Sequence, residues 1–175
     1  MQLGRGYATL SQAPFDLSEQ NNLRFRILTP FLAYCVGLRG NLYIVFPMLV
    51  SLFFLSFIYF RLRKNEPPST SLLITSFICF STPILFLLHF QGYVDITSYL
   101  LIWLIIVFIK NKFTWVFLLA LLLLNHDSNV FIIPALAFYY FTNAENKTKA
   151  ALIVFFGIAL ALLPFYFYRK YVNAV

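Results

Sequence analysis

Apolar and polar positions fall in long blocks along this chain, and the block lengths carry most of the information. Met1–Asn22 is polar and irregular, with Gly4, Gly6 and Pro14, and reads as a loop or surface segment. It has no apolar run of the kind that drives a cleavable signal peptide, so an internal span is expected to direct insertion. Ile27–Leu38 is apolar, but as a helix it would be only about 18 Å long, against a hydrocarbon core of about 30 Å. Leu28, Phe31, Leu32, Cys35 and Leu38 share one helical face there, which predicts an interfacial or re-entrant helix.

Three blocks are full-length spans: Asn41–Phe60, Leu72–Phe90 and Ala150–Tyr168. Pro47 falls in the second turn of the first and is expected to kink it. Ser81-Thr82-Pro83 lies near the middle of the second, where hydroxyls can satisfy backbone groups that the proline frees. Pro164 lies near the end of the third. Between the second and third spans the blocks shorten to Ile96–Ile109, Phe113–Leu124 and Val130–Phe141. Lys110-Asn111-Lys112 and Asn125-His126-Asp127-Ser128 divide them. The pattern predicts an all-α integral membrane protein with about six transmembrane helices, several of them short, plus the N-terminal interfacial or re-entrant helix. Along the chain this gives a polar segment over 1–26, the interfacial helix over 27–40, a transmembrane helical bundle over 41–170 and a tail over 171–175.

Composition agrees with the pattern. The 175 residues are 61% hydrophobic and 11% charged, with twenty-two Phe and eleven Tyr. Soluble domains carry about a quarter charged residues, and a soluble core of this size could not hide so much apolar area. The net charge of +7 does not indicate a nucleic-acid partner. The Lys and Arg stand singly or in small groups between apolar runs, as membrane-flanking charges do, and form no continuous basic stripe. Cys35 and Cys79 lie inside apolar segments and read as buried free thiols.

Orientation follows from the short loops. Arg61, Arg63, Lys64, Lys110, Lys112, Lys147 and Lys149 fall on one face of six alternating spans, and the loops 91–95 and 125–128 carry no cation. The basic loops are assigned to the cytoplasm. His89, Asp95, His126 and Asp127 then fall on the outer face, with Arg5, Arg24, Arg26, Arg39, Arg169 and Lys170. The Asn146-Lys147-Thr148 sequon falls in the cytoplasm and is discounted.

Candidate chemistry centres on His126-Asp127, an adjacent ionisable pair with apolar sequence on both sides. Ionisable groups at such depth are costly and mark functional sites. A carboxylate beside an imidazole suits general acid–base work. The structural alternative is a helix start near Asn129, capped by Asp127 or Ser128, with His126 facing the interface. Asp95 precedes a span in Gln91-Gly92-Tyr93-Val94-Asp95 and either caps it or faces Asp127. Two carboxylates around one pocket would also suit a divalent metal, although no metal or other cofactor is indicated. Arg24, Arg26 and Arg39 surround the short apolar helix with planar forks suited to a lipid phosphate; snorkelling to headgroups is the plainer reading. His89 is a lone histidine at a span end. There is no phosphate-binding Gly loop, HExxH, CxxC or nucleophile elbow.

Three motifs in order resemble polytopic bacterial membrane proteins related to the GT-C class of glycosyltransferases. Arg26, Leu28, Pro30, Leu32 and Ala33 match an Arg-x-Leu-x-Pro-x-Leu-Ala segment. Gly92, Tyr93 and Asp95 match a Gly-Tyr-x-Asp before a span. His126 and Asp127 match a His-Glu pair ahead of an apolar run ending in Pro, with Asp replacing Glu. The resemblance covers about residues 24–140. It implies sugar transfer from a polyprenyl-phosphate carrier at the outer face of the bacterial cytoplasmic membrane, with Asp95 or Asp127 as base and the arginines on the lipid phosphate. Such enzymes are usually much longer and carry an acidic residue after a first span, whereas this chain offers only Asp16 and Glu19 ahead of its spans. The competing readings are a non-enzymatic membrane protein, such as a transporter component or assembly partner, and an inactive piece of a larger enzyme.

Overall fold

A computed structural model of the chain describes residues 2–16, 22–81, 95–109 and 111–174. Outside these residues lie Glu19, His89, Lys110, the Gly92-Tyr93 part of the second motif and the second half of the Leu72–Phe90 span, with Thr82 and Pro83. Among the described residues the chain is helical, with no strand. In chain order the α-helices are α1 (Gln2–Leu10), α2 (Leu28–Cys35), α3 (Val45–Leu62), α4 (Pro68–Cys79), α5 (Asp95–Val107), α6 (Lys112–Asn125), α7 (Ile133–Thr142) and α8 (Lys147–Ala174). Three 3₁₀ turns join them: η1 (Asn22–Phe25), η2 (Gly40–Ile44) and η3 (Asp127–Ile132).

Two stretches are long and apolar enough to cross a membrane, Gly40–Leu62 and Lys147–Ala174. Only 28% and 17% of their apolar windows are covered by protein. The helices α4, α5 and α6 are apolar but shorter.

The chain divides into two compact units, Met1–Phe15 with Thr29–Thr97, and Asp16–Leu28 with Ser98–Val175. In the first, α1 packs on η2 and α3 on α4. The N-terminal segment expected as loop is therefore a helix at Gln2–Leu10. Its Tyr7 is fully buried against Tyr43, ring centroids 6.3 Å apart. Ser11 Oγ accepts the Gly40 N–H at 2.9 Å, which ties the end of this helix to the start of the first span. Gly40 sits at φ +56°, a conformation that a side chain would strain. Pro47 lies where the 3₁₀ turn η2 has just passed into α3, and it is buried.

The α2 helix buries only part of the apolar face read from its spacing. Leu28, Thr29, Pro30 and Ala33 are buried, and Thr29 donates a hydrogen bond to Thr97 at 2.9 Å. Leu32 and Cys35 face outward. Cys35 is thus a free and exposed thiol, not a buried one; Cys79 is half-buried.

The second unit is built on α6. Asn111 starts it, its side-chain oxygen accepting the N–H groups of Phe113 and Thr114, each at 3.2 Å. Trp115, Leu118, Leu119, Leu122 and Leu123 repeat at helical spacing and are buried. The last helix packs on this stripe with Gly157 and Ala161, one turn apart and both buried. A Cβ on Gly157 would stand 2.9 Å from Trp115 Cζ2 and from Val116 Cγ2. Small residues let two helix backbones approach closely in this way. Asn146 caps α8 by accepting the Lys149 N–H at 2.9 Å, and Lys147 Nζ donates to the Phe141 and Thr142 carbonyls that end α7. The helix continues through Pro164 and beyond the expected end at Tyr168 to Ala174.

Candidate functional site

The site lies in the second unit, where α6 ends and η3 begins. Its floor is neutral, with Asn125 and Ser98 buried and Asn129 half-buried. Asn125, the last residue of α6, is 0% exposed. Its Nδ2 donates to Ser98 Oγ on α5 at 2.8 Å. Asn129, one turn later in the chain, donates from Nδ2 to the same Ser98 Oγ at 2.9 Å and to the Leu122 carbonyl at 2.8 Å. One serine oxygen therefore collects two amide donors. It holds the loop to α5 while the Leu122 bond holds it to α6.

On this floor the chain changes direction at His126, which is extended at φ −156° and ψ 126°. His126 is buried rather than facing outward, and it caps η3 itself. Its Nδ1 accepts the Ser128 N–H at 3.1 Å and lies 2.7 Å from Ser128 Oγ. Asp127 Oδ1 accepts the same Ser128 N–H at 3.0 Å and lies 3.2 Å from His126 Nδ1. The capping expected of Asp127 or Ser128 is thus shared by His126 and Asp127, and the helical turn starts at Asp127 rather than near Asn129.

His126 Nδ1 thus faces three groups of the turn, the Ser128 N–H, the Ser128 hydroxyl and the Asp127 carboxylate. The two acidic and basic groups also differ in surroundings. The His126 side chain is 11% exposed and the Asp127 side chain 38%. The carboxylate is open to the surroundings while the ring that orients it is enclosed.

The other sequence candidates are distributed over both units. Asp95 is the first residue of α5, half-buried, and belongs to the first unit, as does Arg39. Arg39 folds back onto α2, its guanidinium 3.8 Å from the Tyr34 ring centroid and its Nε donating to the Tyr34 carbonyl at 3.3 Å. Arg24 is in η1 and Arg26 follows it, both in the second unit; the Arg24 side chain lies outside the described part. Among the described residues no three of His, Cys, Asp and Glu come together as metal ligands would. Sequence reasoning missed Ser98 and the role of Asn129. The Asn125–Asn129 spacing, one helical turn across the polar interruption, was the available signal for the second.

Comparison with protein-family models, with curated proteins and with solved structures gives no match to this chain.

Proposed function

We propose that this protein is an integral membrane protein of the bacterial cytoplasmic membrane, with about six helices in the bilayer, and that it transfers a sugar from a polyprenyl-phosphate carrier at the outer face. One observation carries the reading. The open Asp127 carboxylate stands 3.2 Å from an enclosed imidazole, on a turn anchored to two helices. A general base needs this combination of access and fixed geometry. In the proposed reaction the acceptor hydroxyl loses its proton to Asp127 as its oxygen bonds the sugar, and the phosphate carrier leaves.

The test is turnover of a polyprenyl-phosphate sugar by the full chain in proteoliposomes. D127N should lower turnover by about 10² or more, the usual contribution of a positioned base. D95N, assayed beside it, asks whether the first unit's carboxylate contributes. Wild-type turnover by D127N would end the catalytic assignment.

A second reading is favoured by the bonds of His126. Its Nδ1 is engaged as a helix cap, so the turn also suits a purely structural role in a non-enzymatic assembly partner. In that case D127N and H126A would change stability while no sugar transfer is found in the wild type.

A further inference from the structure

At the far end of α8, Arg169 is placed in a way that the helix itself does not require. A cation stabilises a helix C-terminus only within its last turn, and the last turn of α8, which ends at Ala174, holds no basic residue. Among the described residues Arg169 has neither a carboxylate nor a hydrogen-bond acceptor. Its contacts are aromatic. The guanidinium carbon is 5.1 Å from the Phe25 centroid and 5.7 Å from that of Phe165. Phe25 comes from η1, a separate segment that packs on α8, and is flanked in sequence by Arg24 and Arg26. Aromatic rings cover the flat faces of a guanidinium and leave its in-plane N–H edge free to donate.

The height of this group is also defined. Lys149 and Arg169 are twenty residues apart in one helix, about 30 Å at 1.5 Å per residue, which matches the hydrocarbon thickness. Tyr166, Tyr168 and Tyr171 surround Arg169 in sequence, with Tyr166 and Tyr171 exposed, as in the aromatic belts found at headgroup level.

We infer that Arg169, held on Phe25 and Phe165, binds the phosphate of a membrane lipid headgroup, with the neighbouring Lys170 supplying further positive charge. A planar fork with its edge unoccupied matches two phosphate oxygens. This inference rests on the membrane reading but not on sugar transfer, and its readout is lipid retention. Loss of the catalytic assignment would therefore leave it standing.

The probe is phosphatidylglycerol, doped into phosphatidylcholine nanodiscs carrying the full chain. Lipids retained after extraction are counted by native mass spectrometry. The wild type should retain phosphatidylglycerol over phosphatidylcholine. R169Q should weaken that preference about tenfold, the factor that 1.4 kcal/mol represents. R169K, which keeps the charge and loses the fork, should fall between them. F25L removes a stacking ring and keeps every charge, and should also weaken retention. It carries the test if R169Q fails to fold by circular dichroism. Unchanged retention in R169Q, or in F25L where R169Q is not folded, would overturn the inference. Release of the lipid by inorganic phosphate alone would overturn the headgroup assignment in favour of a soluble phosphate.

Discussion

Replacing Ser98 by Ala removes one oxygen and almost no volume, so its effect isolates the buried network under the His126 turn. Two donors lose their acceptor. Asn129 Nδ2 keeps its bond to the Leu122 carbonyl, whereas Asn125, 0% exposed, loses its 2.8 Å bond at a site that water does not reach. A buried hydrogen bond contributes a net ~0.5–1.5 kcal/mol. Between membrane helices the measured average is lower, about 0.6 kcal/mol, because the unfolded chain in a membrane also finds partners. Two bonds to one oxygen therefore place S98A about 1–3 kcal/mol below wild type. Both tryptophans, Trp103 and Trp115, belong to the same unit as the network. Their fluorescence during sodium dodecyl sulfate titration in mixed micelles reports unfolding where it matters. The diagnostic quantity is the coupling in a cycle of S98A, N125A and the double variant, expected at or above about 0.5 kcal/mol. Additive effects, or an S98A loss within about 0.3 kcal/mol of zero, would show that the serine does not hold the turn.

Two further substitutions probe the scaffold under the site. G157L places new atoms against Trp115 and Val116, where a Cβ alone would already stand 2.9 Å away, and Trp115 is 2% exposed. It should cost about 1–3 kcal/mol and shift the tryptophan emission, with G157A smaller in both. N111A removes the side chain that accepts the Phe113 and Thr114 N–H groups and should lower stability by about 1 kcal/mol, with N111D restoring most of it in the same titration.

The long apolar helices were legible from block length: Asn41–Phe60 became Gly40–Leu62 and Ala150–Tyr168 became Lys147–Ala174, while the shorter block Phe113–Leu124 became Lys112–Asn125. Side-chain direction was not legible, because a period shows which residues share a face but not which face meets the rest of the protein: in α2, Leu32 and Cys35 point out while Thr29 and Ala33 turn inside. The helix α1 was hidden by Gly4 and Gly6, which lower helix propensity, and it is held by the burial of Tyr7 rather than by its own sequence. At the site, the polar interruption Asn125–Ser128 announced itself. Its anchor did not, because Ser98 is 27 residues away from Asn125 and pairs with it only through the packing of α5 on α6.

The division of roles at this turn follows from the cost of burial. A neutral amide can be buried where its hydrogens meet oxygens, and Ser98 Oγ and the Leu122 carbonyl provide acceptors for the two asparagines. A carboxylate cannot be enclosed so cheaply, since its charge needs a partner as well as hydrogen bonds. Asp127 therefore lies at the surface of the turn with one oxygen engaged by Ser128, and His126 takes the intermediate depth. The same gradient separates the two meanings of a D127N result. Asparagine at this exposed position can still accept the Ser128 N–H, so the cap persists and stability should change little. A large loss of turnover without a large loss of stability would then report the charge itself, which only the chemical role requires.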